Sequence, residues 1–170
     1  THKTSSAASD VYKRQMKFLS SINQKLINLI YFDFIILLFF RLYLAYVFWF
    51  AGIRKIAWDN GIPNIDRFAG FLASGGEDNL NFIFPHFFGW LAVLAEAGGA
   101  ILLILGLFSR WAIIPLIFTM LVAFYYHFPN GWNSDSGGVE MTVTYILMLL
   151  VILVFGPGKY FSLDYWVLRK

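Results

Sequence analysis

Long apolar runs separated by short polar breaks dominate the sequence, and they predict four membrane-spanning helices. The first run, FIILLFFRLYLAYVFWFAGI, holds a single charge, Arg41, and is long enough to cross the hydrocarbon core of a bilayer as a helix. A cleaved signal peptide does not fit, because the run is too long and no small-residue cleavage site precedes a soluble domain. The predicted spans cover residues 34–53, 87–108, 111–128 and 139–155.

Two amphipathic segments at the chain ends are predicted to lie on the membrane surface. Residues 16–31 place apolar side chains at helical spacing, which is typical of an interfacial helix. The carboxyl-terminal segment KYFSLDYWVLRK combines aromatic with basic residues, as membrane–water interfaces favour. The longest polar loop, residues 58–83, is predicted to hold a short helix over 65–73 and a turn at 75–78.

Composition agrees with a membrane protein and leaves little for a soluble domain. Of the 170 residues, 59% are hydrophobic and 14% are charged, against roughly 45–50% and about 25% in soluble proteins. The sequence contains no cysteine, which excludes disulfides, thiol nucleophiles, Cys-ligated iron–sulfur or zinc sites and thioether-linked haem. We therefore predict an all-α, integral membrane four-helix bundle with interfacial amphipathic segments at both ends, formed by one domain over residues 16–170.

The first fifteen residues, THKTSSAASDVYKRQ, are polar and stop abruptly before Met16. The piece DVYKRQ resembles the translation of a transposase end used in sequencing-library adapters, so we expect residues 1–15 to be a non-native leader. The alternative is a native amino-terminal tail. Without the leader, the 13 basic and 10 acidic residues fall to ten and nine, which removes the charge argument for nucleic acid or another anionic partner.

The distribution of Lys and Arg predicts that both termini are cytoplasmic. With the amino terminus inside, three basic residues lie on the outer side: Arg54, Lys55 and Arg67. Six lie on the cytoplasmic side, as the positive-inside rule favours: Lys17, Lys25, Arg110, Lys159, Arg169 and Lys170.

Two charged residues lie well away from the ends of the predicted spans, where charges are costly and usually face the protein interior. Arg41 shares a helix face with Ala45 and Gly52, although its long side chain also allows it to snorkel to the interface. Glu96 lies too deep to snorkel and shares its face with Gly99. We predict an Arg41–Glu96 ion pair, whose alternative roles are to fix helix packing or to handle protons or substrate.

Three spans bring polar side chains to the non-cytoplasmic edge of the bundle, namely Lys55, His127 and Glu140, with His86 nearby. Two histidines and a glutamate could bind zinc or copper or relay protons to a quinone head group, and the alternative is an ordinary polar rim. We assign no metal ligands. No haem, iron–sulfur, nicotinamide or phosphate-binding motif is present.

The order of these residues along the chain resembles the DoxX family of small four-span bacterial membrane proteins. The matching pieces are Arg41-Leu42-Tyr43-Leu44-Ala45, Phe48, Gly52, Lys55, Glu96-Ala97-Gly98-Gly99, Leu103, Gly106, Arg110, Met120, Ala123, His127, Glu140, Gly156-Pro157-Gly158 and Ser162-Leu163-Asp164. The segments VFWFAGIRK, HFPNGW and FSLDYW look most like members found beside genes for copper-binding peptides. Such members carry a longer polar insert after the equivalent of Asn130-Gly131-Trp132.

The resemblance implies a quinone-linked redox or oxidative-stress-associated membrane subunit that works with a protein partner, rather than a stand-alone enzyme. In this hypothesis Arg41 and Glu96 tune an internal polar site, and Lys55, His127 and Glu140 form its mouth. The alternative is a non-catalytic membrane anchor or assembly factor, for example in copper-stress handling. Both hypotheses place the protein in the inner membrane of a bacterium, as the resemblance implies. A third hypothesis, a small transporter, requires a homo-oligomer or a binding site within the bundle.

Overall fold

The structure, a computed structural model, describes residues 12–24, 33–73, 80–158 and 162–167, and these residues are largely helical. The elements are α1 (residues 12–24), α2 (Asp33–Arg54), β1 (Ala57–Asp59), β2 (Ile62–Asn64), α3 (Asp66–Leu72), α4 (Pro85–Val93), a π-helical segment (Leu94–Gly98), α5 (Gly99–Leu105), α6 (Ser109–His127), 3₁₀ turns at Phe128–Asn130 and Ser134–Ser136, α7 (Glu140–Phe155) and α8 (Leu163–Val167).

Three helical stretches are long and apolar enough to cross a membrane: Phe34–Arg54, Pro85–Leu105 and Ser109–Asn130. At most 39% of the most apolar part of any of them is buried inside the protein. Their outward faces carry large side chains such as Phe39 and Trp111, which are 67% and 73% exposed. Apolar surface on this scale is not stable in water and is what a lipid-facing helix requires. The chain is therefore a membrane protein in contact with the bilayer.

The core lies where α2, α5, α6 and α7 meet. Its fully buried side chains include Leu44 and Phe48 of α2, Leu103 of α5, Leu116 of α6 and Leu149 of α7. Glycines allow the helices to approach closely, as small residues do in membrane bundles. A Cβ atom on Gly52 would lie 2.8 Å from the backbone nitrogen of Ala97, so α2 and the π-helical segment meet with no side chain between them.

The boundaries agree with the sequence pattern except at one turn. The second span was expected to reach residue 108, but α5 ends at Leu105. Gly106 and Phe108 take left-handed backbone conformations, with φ of 64° and 47°, and this sharp turn starts α6 at Ser109. The structure also adds an antiparallel hairpin of β1 and β2 that the pattern did not predict.

The predicted short helix over 65–73 is present as α3, whereas the turn at 75–78 lies outside the described residues. Of the predicted interfacial segments, residues 12–24 form an exposed helix and residues 163–167 form α8. Their position on a membrane surface stays a prediction. We call the end of the bundle that holds the α5–α6 turn the turn end, and the end that holds β1 and β2 the hairpin end.

Candidate functional site

An ion pair joins α2 to the π-helical segment. Glu96 lies in the middle of that segment, and Lys55 lies one residue beyond α2. The Lys55 ammonium donates a hydrogen bond to Oε2 of Glu96 and a second one to the carbonyl oxygen of Ala51, at 3.2 Å. The side chains of Lys55 and Glu96 are 19% and 4% exposed. Glu96 thus lies in the protein interior with a cation beside it, as a buried carboxylate requires.

The predicted Arg41–Glu96 pair is wrong, because Glu96 pairs with Lys55. The prediction assumed that the first two spans end at equal levels on the cytoplasmic side. In the structure Gly52 packs against Ala97, which brings Lys55, three residues after Gly52, within reach of Glu96. Arg41 lies eleven residues before Gly52, about 16 Å along a helix, so it reaches the turn end instead.

Arg41 is buried at the turn end, where it binds backbone carbonyl groups. Its Nε donates to the carbonyl oxygen of Leu103 at 2.7 Å, Nη2 to that of Ile104 at 3.2 Å, and Nη1 to that of Pro157 at 2.6 Å. The first two carbonyls are at the carboxyl end of α5, where carbonyl groups lack intrahelical donors and the helix dipole favours a cation. Arg41 therefore ties α2 to the end of α5 and to the segment after α7.

Asp164 of α8 completes the turn end. Its two carboxylate oxygens accept hydrogen bonds from the backbone N–H groups of Phe108 and Ser109, at 2.7 and 3.1 Å. These groups are among the first of α6, which have no helical acceptor. The hydroxyl of Ser162 donates to the carbonyl oxygen of Gly106 at 2.7 Å. The carboxyl-terminal segment thus caps α6 and closes the sharp α5–α6 turn.

A cavity of about 560 Å³ lies toward the hairpin end, between α4 and α6. Lys55 and Glu96 form part of its inner wall, and Thr119 and His127 of α6 supply further polar groups. The remaining lining is apolar and strongly aromatic, with phenylalanines from α3, α4, α6 and residue 82. A pocket of this size, with apolar walls and a few polar groups, is typical of a small-molecule site.

Not all of the residues predicted to form the outer mouth line the cavity. His127 lines the cavity, and its Nδ1 is 2.7 Å from the carbonyl oxygen of Gly137. Glu140 does not line it; its Oε2 accepts a hydrogen bond from the backbone N–H of Ser134 at 3.2 Å. His86 lies on the surface beside Asp66, at 3.2 Å. Among the described residues, no three His, Asp or Glu side chains are grouped so that they could hold a metal ion.

Comparison with known proteins identifies the family. The DoxX family model matches residues 36–128. The chain belongs to the DoxX family. A relative from Haemophilus influenzae (strain ATCC 51907 / DSM 11121 / KW20 / Rd), named "Uncharacterized protein", is 31% identical over 131 residues, which are 75% of this chain and 80% of the relative. No solved structure shows significant similarity to the chain.

The DoxX match includes Arg41, Lys55, Glu96 and His127 and stops before Glu140. Four of the five candidate residues therefore lie in the part of the chain that defines the family. The ion pair and all of the cavity lining fall within the same range.

Sequence reasoning missed two features of this DoxX protein. The π-helical geometry around Glu96 has no signature in the hydrophobic pattern, although π-helical turns are frequent at functional sites. The capping role of Asp164 was also missed, because it depends on a contact between residues more than fifty positions apart. One signal was available: Phe108, the residue before α6, has no side chain that can cap the helix, so a cap has to come from another part of the chain.

Proposed function

We propose that this DoxX protein is a four-span subunit of the bacterial inner membrane that binds a lipid-soluble quinone and works with a redox partner. The observation that carries the proposal is the apolar cavity with the Lys55–Glu96 pair in its wall. A quinone head group has carbonyl oxygens that need donors, within a ring and tail that need apolar surroundings. The cavity offers both.

The fourth span of the proposal is α7. Its 16 residues extend about 24 Å, somewhat less than the ~30 Å hydrocarbon core, and a thinner local bilayer accommodates such a mismatch. In support, α7 packs along α6 and α2, and it is apolar apart from Glu140, Thr142 and Thr144 in its first turns. Four spans put both chain ends on one side, and the excess of Lys and Arg favours the cytoplasm for that side.

Lys55 and Glu96 can each form a hydrogen bond with a bound quinone or quinol. The Lys55 ammonium has three donors, of which one is used by Glu96 and one by Ala51, so one remains for a carbonyl oxygen. The Glu96 carboxylate can accept a hydrogen bond from a quinol hydroxyl. When bound, the quinone supplies two-electron redox chemistry, and a protein partner supplies or accepts the electrons.

The test is a binding titration of a long-tailed quinone into the protein in lipid nanodiscs, followed by tryptophan fluorescence. We compare wild type with Lys55→Met/Glu96→Met, which removes the polar pair and keeps the wall apolar. A hydrogen bond to a charged group contributes about 1.5–3 kcal/mol, so Kd should rise about ten- to hundredfold. His86→Ala, outside the cavity, is the matched control. An unchanged Kd in the double variant rejects the proposal.

A second function is supported by the turn end. Arg41 and Asp164 connect the carboxyl-terminal segment to the bundle through hydrogen bonds to backbone groups, an arrangement that presents this segment to a partner. A membrane anchor or assembly factor, for example in copper-stress handling as the sequence resemblance implies, needs no ligand in the cavity. A purified complex that contains no quinone and does not reduce added quinone would favour this function.

A further inference from the structure

The cavity is covered at the hairpin end by α3. Ile65, the residue before α3, packs so closely on Gly89 of α4 that a Cβ atom there would lie 2.7 Å from its Cδ1. On the other side, the ring of Phe71 contacts that of Tyr126 of α6, with 4.8 Å between centroids. Lys55 lies 5.2 Å from the centroid of the Phe68 ring. Within the described residues, α3 thus bridges α4 and α6 between the cavity and the hairpin end.

The same cavity reaches the outer surface between α4 and α6. Three large hydrophobic side chains line it and are also exposed: Leu91 of α4 at 48%, and Ile114 and Phe118 of α6 at 55% and 56%. Ile114 and Phe118 are four residues apart and therefore share one face of α6. This part of the surface belongs to the middle of two membrane-spanning helices, where the medium outside is lipid.

The packing of the helices explains the gap. The π-helical segment and α5 pack against α6, whereas α4 packs mainly on α3 and on the π-helical segment. The second and third spans are therefore in contact near Glu96 and toward the turn end, and they diverge toward the hairpin end. The wedge between them forms the opening.

We propose that the gap between Leu91 and Phe118 is a lateral portal, through which a ligand enters the cavity directly from the bilayer. That the ligand is a quinone rests on the proposed function. The portal adds that the quinone has a long apolar tail. The head group enters to meet Lys55, and the tail remains between α4 and α6 in contact with lipid. Within the described residues α3 covers the hairpin end, so we expect a water-soluble molecule to enter the cavity more slowly than a molecule dissolved in the bilayer.

The test asks whether small reagents reach the cavity from the bilayer or from water. Because the chain has no native cysteine, Ala95→Cys places a single thiol in the cavity wall. The protein in lipid vesicles is treated with an N-alkyl maleimide that partitions into the bilayer or with a charged, water-soluble maleimide. Labelling rates are compared with those of Leu121→Cys, an exposed position on α6 that does not line the cavity.

We expect the bilayer reagent to label Ala95→Cys and the charged reagent to leave it largely unmodified. Adding Leu91→Trp and Ile114→Trp should slow labelling by the bilayer reagent about tenfold or more, since closely packed side chains leave no passage. Leu121→Trp, on α6 outside the portal, should not slow it. Equal or faster labelling by the charged reagent, or no effect of the two tryptophans, would overturn the portal.

A third arm separates the portal from the proposed function. An excess of long-tailed quinone should protect Ala95→Cys from the bilayer reagent, and a tail-free, water-soluble quinone should protect it much less. If labelling comes through the bilayer but no quinone protects, the portal stands and the quinone proposal fails. If both quinones protect equally, the tail does not contribute and the narrowed ligand class is wrong.

Discussion

The Lys55–Glu96 pair gives the sharpest prediction about stability. Lys55→Met leaves the Glu96 carboxylate, whose side chain is 4% exposed, without its cation, and breaking a buried pair in this way costs about 3–5 kcal/mol. Glu96→Gln should cost less, about 1–2 kcal/mol, because Lys55 is partly exposed and keeps its bond to the Ala51 carbonyl. Lys55→Met/Glu96→Met should return to within about 1 kcal/mol of wild type, since an apolar pair removes both desolvation costs.

These free energies of unfolding are measured by titrating the purified protein in mixed micelles with a denaturing detergent. A double-mutant cycle built from Lys55→Met, Glu96→Met and the double variant should give a coupling energy of about 3 kcal/mol or more, because the losses in the two single variants together exceed the loss in the double variant by that amount. The matched control is the Arg41→Gln/Glu96→Gln cycle, whose effects should add within about 0.5 kcal/mol, as for residues with no shared partner. Additive losses for Lys55 and Glu96, combined with strong coupling between Arg41 and Glu96, would refute the assignment.

Three further predictions concern packing and caps. Gly52→Ala should destabilise the protein by about 1–3 kcal/mol through overpacking, while Gly98→Ala, with open space around it, should be tolerated; thermal unfolding compares the two. Asp164→Ala should cost about 0.5–2 kcal/mol through loss of a helix cap and should speed proteolysis of the carboxyl terminus, whereas unchanged proteolysis would contradict the capping role. His127→Ala should lower the unfolding temperature, because it removes a partly buried bond to the following loop, and the exposed His86→Ala should leave that temperature unchanged.

The hydrophobic pattern predicts much of the fold because each span depends only on residues that are neighbours in the sequence. The bounds of α2 and α6 are within a few residues of expectation, and the buried stripe of Ala45, Phe48 and Gly52 follows from helical periodicity. The same stripe contains both Arg41 and Lys55. Periodicity therefore identifies the cations that face the interior, and it leaves open which of them lies level with Glu96.

The partner of Glu96 depends on how far two helices are displaced along their axes. That displacement is fixed by the contact between Gly52 and the π-helical segment, which is a tertiary contact between residues far apart in sequence. The cavity has a similar origin, because it arises from the divergence of α4 from α6 and from the position of α3. Single residues at the site, Lys55, Glu96 and His127, could be predicted from the sequence, but their arrangement could not.

The proposed function requires that a quinone occupy the cavity beside Lys55 and Glu96. The most direct measurement uses a photoreactive, long-tailed quinone with the protein in nanodiscs, followed by mass spectrometry of the labelled peptides. We expect the probe to label the cavity-lining segments of α4 and α6, near Leu91 and Phe118. An excess of unmodified quinone should suppress this labelling. Labelling spread over lipid-facing positions such as Leu121, with no suppression, would contradict it.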